Sequence, residues 1–235
     1  SSGQLGDGTT TFRNTFVQSS SLSGINVAKI YGSAADGATG GFSAAVSTTG
    51  RLYMSGYNGN GQLGQNDTTN RSSFQLVTGA FDTKVTKVVL IGSNDEGSTG
   101  SAYILDNEGS LYSAGYNAGG QLALGNTTSG ARFFTKVLNT GGAKVMDMHA
   151  FGTDNAGGIT VTLDNGSLMT AGYNTTNQAG NDVQNVTYNS SLKYVPGFEP
   201  GSKASAVGLS TIVPFNLLSG AVLGNLLDNL NFTQQ

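Results

Sequence analysis

This sequence predicts an all-β fold built from repeated four-stranded units, a β-propeller, and three observations lead there. First, a triplet recurs: Gly56-Tyr57-Asn58 returns as Gly115-Tyr116-Asn117 and Gly172-Tyr173-Asn174, at offsets of 59 and 57 residues. Each triplet is followed at the same distance by a glutamine, Gln62, Gln121 and Gln178, and Gln4 lies 58 residues before Gln62. Second, each period holds about four short runs rich in β-branched and aromatic residues, separated by glycine-bearing turns. Third, the apolar spacing of three and four that a helical solenoid requires is missing. A unit of this size cannot bury its apolar face alone and must stack on its neighbours.

The first strand of a unit is expected at Val27–Gly32, Val85–Gly92 and Val145–Gly152, where alternating apolar residues run up to a glycine. A glycine-rich loop follows, and then a second strand at Phe42–Val46, Ala102–Leu105 and Ile159–Leu163. The turns Thr48-Thr49-Gly50, Asn107-Glu108-Gly109 and Asp164-Asn165-Gly166 supply the positive φ of a tight hairpin. The third strand, Leu52–Ser55, Leu111–Ala114 or Leu168–Ala171, runs into the Gly-Tyr-Asn triplet. After the glutamine turn and a polar stretch, the fourth strand ends at Phe74–Val77, Phe133–Val137 or Leu192–Val195.

Residues 1–203 thus divide into a partial blade at 1–18, which carries only the second half of a unit, and three units at about 25–77, 83–137 and 143–195. Residues 204–235 are expected to form a degenerate blade or a C-terminal extension. Leu218, Val222, Leu226 and Leu230 are spaced by four as in a helix, but Gly220 and Gly224 oppose that reading at about 1 kcal/mol each, and a diverged hairpin is favoured. Three full units are fewer than the roughly four to eight blades of a closed propeller. Either 1–18 pairs with the C-terminal unit, or the chain is part of a longer one, or other copies supply the missing blades.

Composition removes whole classes of function. Charged residues make up 11% of the chain, against roughly 25% in an average soluble domain. The net charge of −3 leaves no basic footprint for nucleic acid. The chain has no cysteine, which rules out disulfides and thiolate metal sites, and a single histidine. No run is long and apolar enough to span a membrane. Gly59, Gly61 and Gly64 recur inside hairpin turns with no following helix and no P-loop lysine, so they do not form a phosphate cradle.

The string from Gly50 through Leu52-Tyr53, Gly56-Tyr57-Asn58 and Gly61-Gln62-Leu63-Gly64 resembles the repeat of the regulator of chromosome condensation family. It is nearly as clear over Gly109–Leu122, while the third unit keeps Gly166–Asn174 and has Asn177 where a glycine is expected. The resemblance covers residues 1 to about 200. It implies a β-propeller, usually of seven blades, in which the Asn and Gln side chains hold the turns. This chain has no tryptophan, a longer acidic loop after the first strand and no basic tail, so the founding member's nucleotide-exchange activity and chromatin binding are not carried over.

Two sets of residues are candidate sites. Asp36, Asp95 and Asp154 recur at 59-residue intervals in the first-to-second-strand loops, with Glu96 beside the second, and a propeller would set them in a ring on one face. Such a ring suits a protein partner, a glycan or a cation, and the competing reading is that each Asp stabilises its own loop. No metal or other cofactor is assigned. The Gly-Tyr-Asn and Gln residues (Gly56, Tyr57, Asn58, Gln62; Gly115, Tyr116, Asn117, Gln121; Gly172, Tyr173, Asn174, Gln178) are expected to be architectural, with amides satisfying backbone groups of irregular turns and tyrosines packed between blades, hydroxyl outward. His149, with Ile30 and Leu90 as its expected counterparts, is read as a packed core residue.

No catalytic set emerges, and the chain is expected not to be an enzyme. The neutral Ser/Thr/Asn/Gly surface points to a structural or adhesion module, a virion (phage tail or fibre) or extracellular surface component contacting other protein chains or glycans, as a homo-oligomer or in a larger assembly. The alternative is a cytoplasmic, regulatory protein-binding propeller, as the family resemblance implies.

Overall fold

The computed structural model describes residues 2–33, 40–79, 83–92, 99–152, 157–175, 177–180 and 187–201. Among the described residues, twelve strands form three four-stranded antiparallel sheets. The first contains β1 (Val27–Gly32), β2 (Phe42–Ser47), β3 (Leu52–Gly56) and β4 (Arg71–Leu76). The second contains β5 (Val85–Ile91), β6 (Ser101–Asp106), β7 (Leu111–Gly115) and β8 (Ala131–Lys136). The third contains β9 (Val145–Phe151), β10 (Gly158–Leu163), β11 (Leu168–Tyr173) and β12 (Tyr188–Tyr194). Each sheet pairs its strands in chain order, the up-and-down arrangement of a propeller blade. The second-half segment at 1–18 contributes one isolated bridge, Asp7 to Ser73, and a short 3-10 turn follows at Ser20–Leu22.

Two irregularities recur in every blade. The first-to-second-strand register slips on the first strand each time, between Val27 and Lys29, between Val85 and Lys87, and between Val145 and Asp147, which face the adjacent Leu163 and Thr162. The third-to-fourth-strand register slips just before the triplet glycine, between Met54 and Gly56, Ser113 and Gly115, and Thr170 and Gly172. A bulge repeated at homologous positions is a designed bend that adds twist. Gly115 shows why the second one requires glycine: its φ is +111°, and a β-carbon there would strike the carbonyl oxygen of Gly100.

The core lies between blades. Phe42, Val46 and Met54 of the first sheet pack with Val88, Ile104 and Phe134 of the second. Tyr103, Leu105 and Leu111 of the second pack with Met148, Val161 and Leu192 of the third. The middle strands are buried on both faces, so they read as nearly continuous apolar runs. The opposite face of the first blade, built on Ala45, Tyr53 and Phe74, is covered by Leu22 and Ile25.

Candidate functional site

The Gly-Tyr-Asn triplets and the roots of the acidic loops share one end of every sheet. Phe42 pairs with Gly56, Ser101 with Gly115 and Gly158 with Gly172, so the second strand begins where the third ends. The backbone N–H groups of Tyr57, Tyr116 and Tyr173 donate to the carbonyls of Gly41, Gly100 and Gly157, at 2.9, 2.9 and 3.1 Å. Asp36, Asp95, Glu96 and Asp154 themselves lie outside the described residues.

Each triplet asparagine is buried and spans its own turn. Asn58 Oδ1 accepts from the Leu63 N–H at 2.9 Å, and its Nδ2 donates to the Asp67 carbonyl and to Asp67 Oδ1, both at 3.0 Å. Asn117 repeats this with Leu122 and Asn126, and Asn174 Oδ1 accepts from Ala179. The glutamines brace the same turn: Gln62 accepts from the Asn60 N–H, and Gln121 from that of Gly119. These turns leave several backbone groups without a ladder partner, and a buried primary amide supplies both donors and acceptors.

The turn of one blade grips the outer strand of the next. The N–H groups of Gly8, Asn66 and Gly125 donate to the carbonyls of Ser72, Arg132 and Ser190, at 2.9, 2.8 and 2.7 Å. Gly61 and Gly120 sit so close to Arg132 and Ser190 that a β-carbon would meet the following blade's backbone at 2.6 Å in each case. The sequence did not reveal this clamp, because a one-dimensional period cannot say which blade a turn contacts.

The triplet tyrosines are half-buried, and the Tyr57 ring lies over its own turn with the hydroxyl beside Gly59. One expectation is corrected. His149 is not a core residue, since 34% of its side chain is exposed. Counting from Val27, Val85 and Val145, its counterparts are Tyr31 and Val89, not Ile30 and Leu90. The reason is architectural. The first strands contact one another across blades at the inner edge, where one side of the strand has no sheet to pack on.

That inner edge carries a second set of ties which sequence reasoning missed. Lys29 Nζ donates to the Thr86 carbonyl at 2.8 Å, and Lys87, at the homologous position, reaches Asp147 Oδ1 at 2.5 Å. His149 Nε2 lies 3.0 Å from the other Asp147 oxygen. Burial pushes the Asp147 carboxyl up, but the Lys87 ammonium, the Met148 N–H and His149 outweigh it and hold the group below its ordinary value of 3.8. The recurring Lys29, Lys87 and Asp147 at 58- and 60-residue spacing was the available signal. These groups are engaged in holding blades together. Among the described residues no cluster of three His, Cys, Asp or Glu could hold a metal ion, and no helix is long and apolar enough to cross a membrane.

With this geometry in place, comparison with known proteins gives the fold type. No family profile matches the chain. Over 85 residues it is 36% identical to the X-linked retinitis pigmentosa GTPase regulator of Canis lupus familiaris, a stretch amounting to 36% of this chain and 8% of that protein. Among solved structures it is similar to human WBSCR16, at 17% identity and a TM-score of 0.54, covering 73% of this chain and 38% of that one. It is similar to Prp20p from Saccharomyces cerevisiae, at 16% identity and a TM-score of 0.52, covering 70% and 37%. Yeast RCC1 (Prp20), solved with Kap60 bound to it, matches at 15% identity and a TM-score of 0.51, covering 66% and 35%. The fold is therefore a β-propeller of regulator of chromosome condensation type. The chain spans less than two fifths of the length of the solved propellers it matches.

Proposed function

We propose that this chain is a regulatory, protein-binding β-propeller that recognises a folded partner through the end of the blades bearing Tyr57, Tyr116 and Tyr173 and the loops of Asp36, Asp95, Glu96 and Asp154. One observation carries the reading. Three sheets in matching register root their first-to-second-strand loops at the same end, which is how a rigid scaffold presents variable loops to a partner. The relatives support it in kind. Prp20p is described by its binding to Gsp1p and histones, and the dog relative is named a GTPase regulator. The virion or adhesion reading rested on composition alone and finds no support among these proteins, so the intracellular regulatory reading is preferred. With acids in the loops and a net charge of −3, the expected partner surface is polar to basic.

The test is proximity cross-linking in the native host followed by titration of the recovered partner against purified chain. Replacing Asp36, Asp95 and Asp154 with Asn and Glu96 with Gln should weaken that partner about tenfold or more. Lys84→Ala with Lys144→Ala, at the opposite end, should leave it unchanged. Equal affinity for all three proteins would refute this placement of the binding face.

A further inference from the structure

The first two blades differ on their outer rims. Gln65, in the turn after the first triplet, donates through Nε2 to the carbonyls of Leu76 and Gln75, at 3.3 and 3.4 Å, and so bridges that turn to its own outer strand. Leu124 holds the equivalent place in the second blade, two residues past buried Leu122 as Gln65 is two past buried Leu63. It has no amide to donate, and it packs instead against the core shared with the third blade. Thr135 and Lys136 are the counterparts of Gln75 and Leu76, since Lys136 pairs with Tyr112 as Leu76 pairs with Tyr53. The Val137 N–H donates to Leu111, so Lys136 turns its own N–H and carbonyl away from β7, towards the open edge of the sheet.

What the first blade bridges is, in the second, a groove of about 450 Å³ between the turn at 123–131, the end of β8 and Ser191 of the third blade. Leu138 in its wall is 81% exposed. Asn139 Oδ1, also in the wall, is a buried acceptor with no donor among the described residues. Lys136 lines the groove, and Lys193, two residues along β12 from Ser191, is exposed as Lys136 is. No salt bridge among the described residues engages either lysine, and the lining contains no acid. The groove thus presents unused acceptors, an aliphatic wall and positive charge.

We infer that this groove binds an extended, acidic segment of a partner protein. A glutamine or asparagine of that segment takes the place of Gln65, its amide donating to the Lys136 carbonyl. An aliphatic side chain beside it covers Leu138, and a carboxylate meets Lys136 and Lys193. The fold itself supplies the template, because the first blade already closes the same gap with a side-chain amide of its own. None of the groove residues belongs to a first-to-second-strand loop, so this surface is separate from the loop end proposed above.

The test is selection of a phage-displayed library of random peptides on the unmodified chain, with counter-selection on Leu124→Gln, which rebuilds the bridge of the first blade. Enriched sequences should set a glutamine or asparagine beside an aliphatic residue, with an acid close by. Synthetic copies should move the backbone NMR signals of Lys136, Leu138 and Asn139, and should bind about tenfold or more weakly once their amide residue is replaced by methionine. Leu124→Gln should weaken the same peptides about tenfold or more. Lys136→Glu with Lys193→Glu should do so too, with an unchanged circular dichroism spectrum because both side chains are exposed. Asp95→Asn with Glu96→Gln, in a loop at the other proposed surface, should leave peptide binding as it was. A selection that yields no sequence lost on Leu124→Gln, or that enriches lysine and arginine, overturns the inference. So does a groove already filled without peptide, seen as protection of the Lys136 N–H from hydrogen exchange or as self-association in sedimentation that Leu124→Gln abolishes.

Discussion

Gly64→Ala tests the inter-blade clamp most sharply. Gly64 has φ +67°, and its missing β-carbon would sit 2.5 Å from Cδ2 of Phe134, a ring only 4% exposed and held in the core between the first two blades. Alanine in the left-handed region costs roughly 1–2 kcal/mol, and forcing a methyl group into a packed core adds roughly 1–3 kcal/mol. A total near 3 kcal/mol lowers the melting temperature by about 6–12 °C in a chain of this size. Ala123 and Leu192, which stand at the equivalent positions of the next joint and share one core cluster, point to the repair: Phe134→Leu should relieve the crowding but not the backbone strain. The double variant should then lose about 1–3 kcal/mol less than the sum of the two single losses, measured by urea unfolding. If the two changes add to within about 0.5 kcal/mol, the ring and the glycine do not contact each other as described.

Asn117→Ala removes the acceptor for the Leu122 N–H and the donor to Asn126, and should cost about 2–3 kcal/mol in chemical unfolding, with Asn117→Asp recovering only the acceptor part. Tyr103→Phe should cost about 1 kcal/mol, because the hydroxyl donates to the Gln121 carbonyl at 2.8 Å and the following glutamine turn loses that anchor. Burial pushes the Tyr103 phenol far above its ordinary value of 10.0, so spectrophotometric titration should show this tyrosine ionising only on unfolding. For Asp147, the folded-state value lies below the unfolded value near 3.8, so its contribution is complete above that pH and is lost as pH falls through the folded value. Thermal melts of Lys87→Met should accordingly lose less stability on acidification below about pH 4 than the unmodified chain, and differ by about 1 kcal/mol or less at neutral pH because the pair is partly exposed.

The strands were legible because they are short, β-branched and punctuated by glycine. Val27–Gly32 is read with its bounds intact, and Leu52–Ser55 misses only Gly56, which sits past the bulge. The ends of the fourth strands were legible but their starts, at Arg71, Ala131 and Tyr188, were not, since the polar first halves are held by pairing to the triplet glycines and carry no apolar pattern. His149 was misread because strand alternation says which residues share a face but not whether a sheet covers that face. Lys87 and Asp147 lie 60 residues apart and meet only because two inner strands converge.

The sequence alone determined the period, the four-stranded unit and the residues that close each turn, because these follow from local backbone preference and from amides that bond within a few residues of themselves. The tertiary structure decided which blade each turn grips and which first-strand side chains stay open at the inner edge. Those outcomes depend on how sheets sit against one another in space, and a repeating pattern reads the same at every blade.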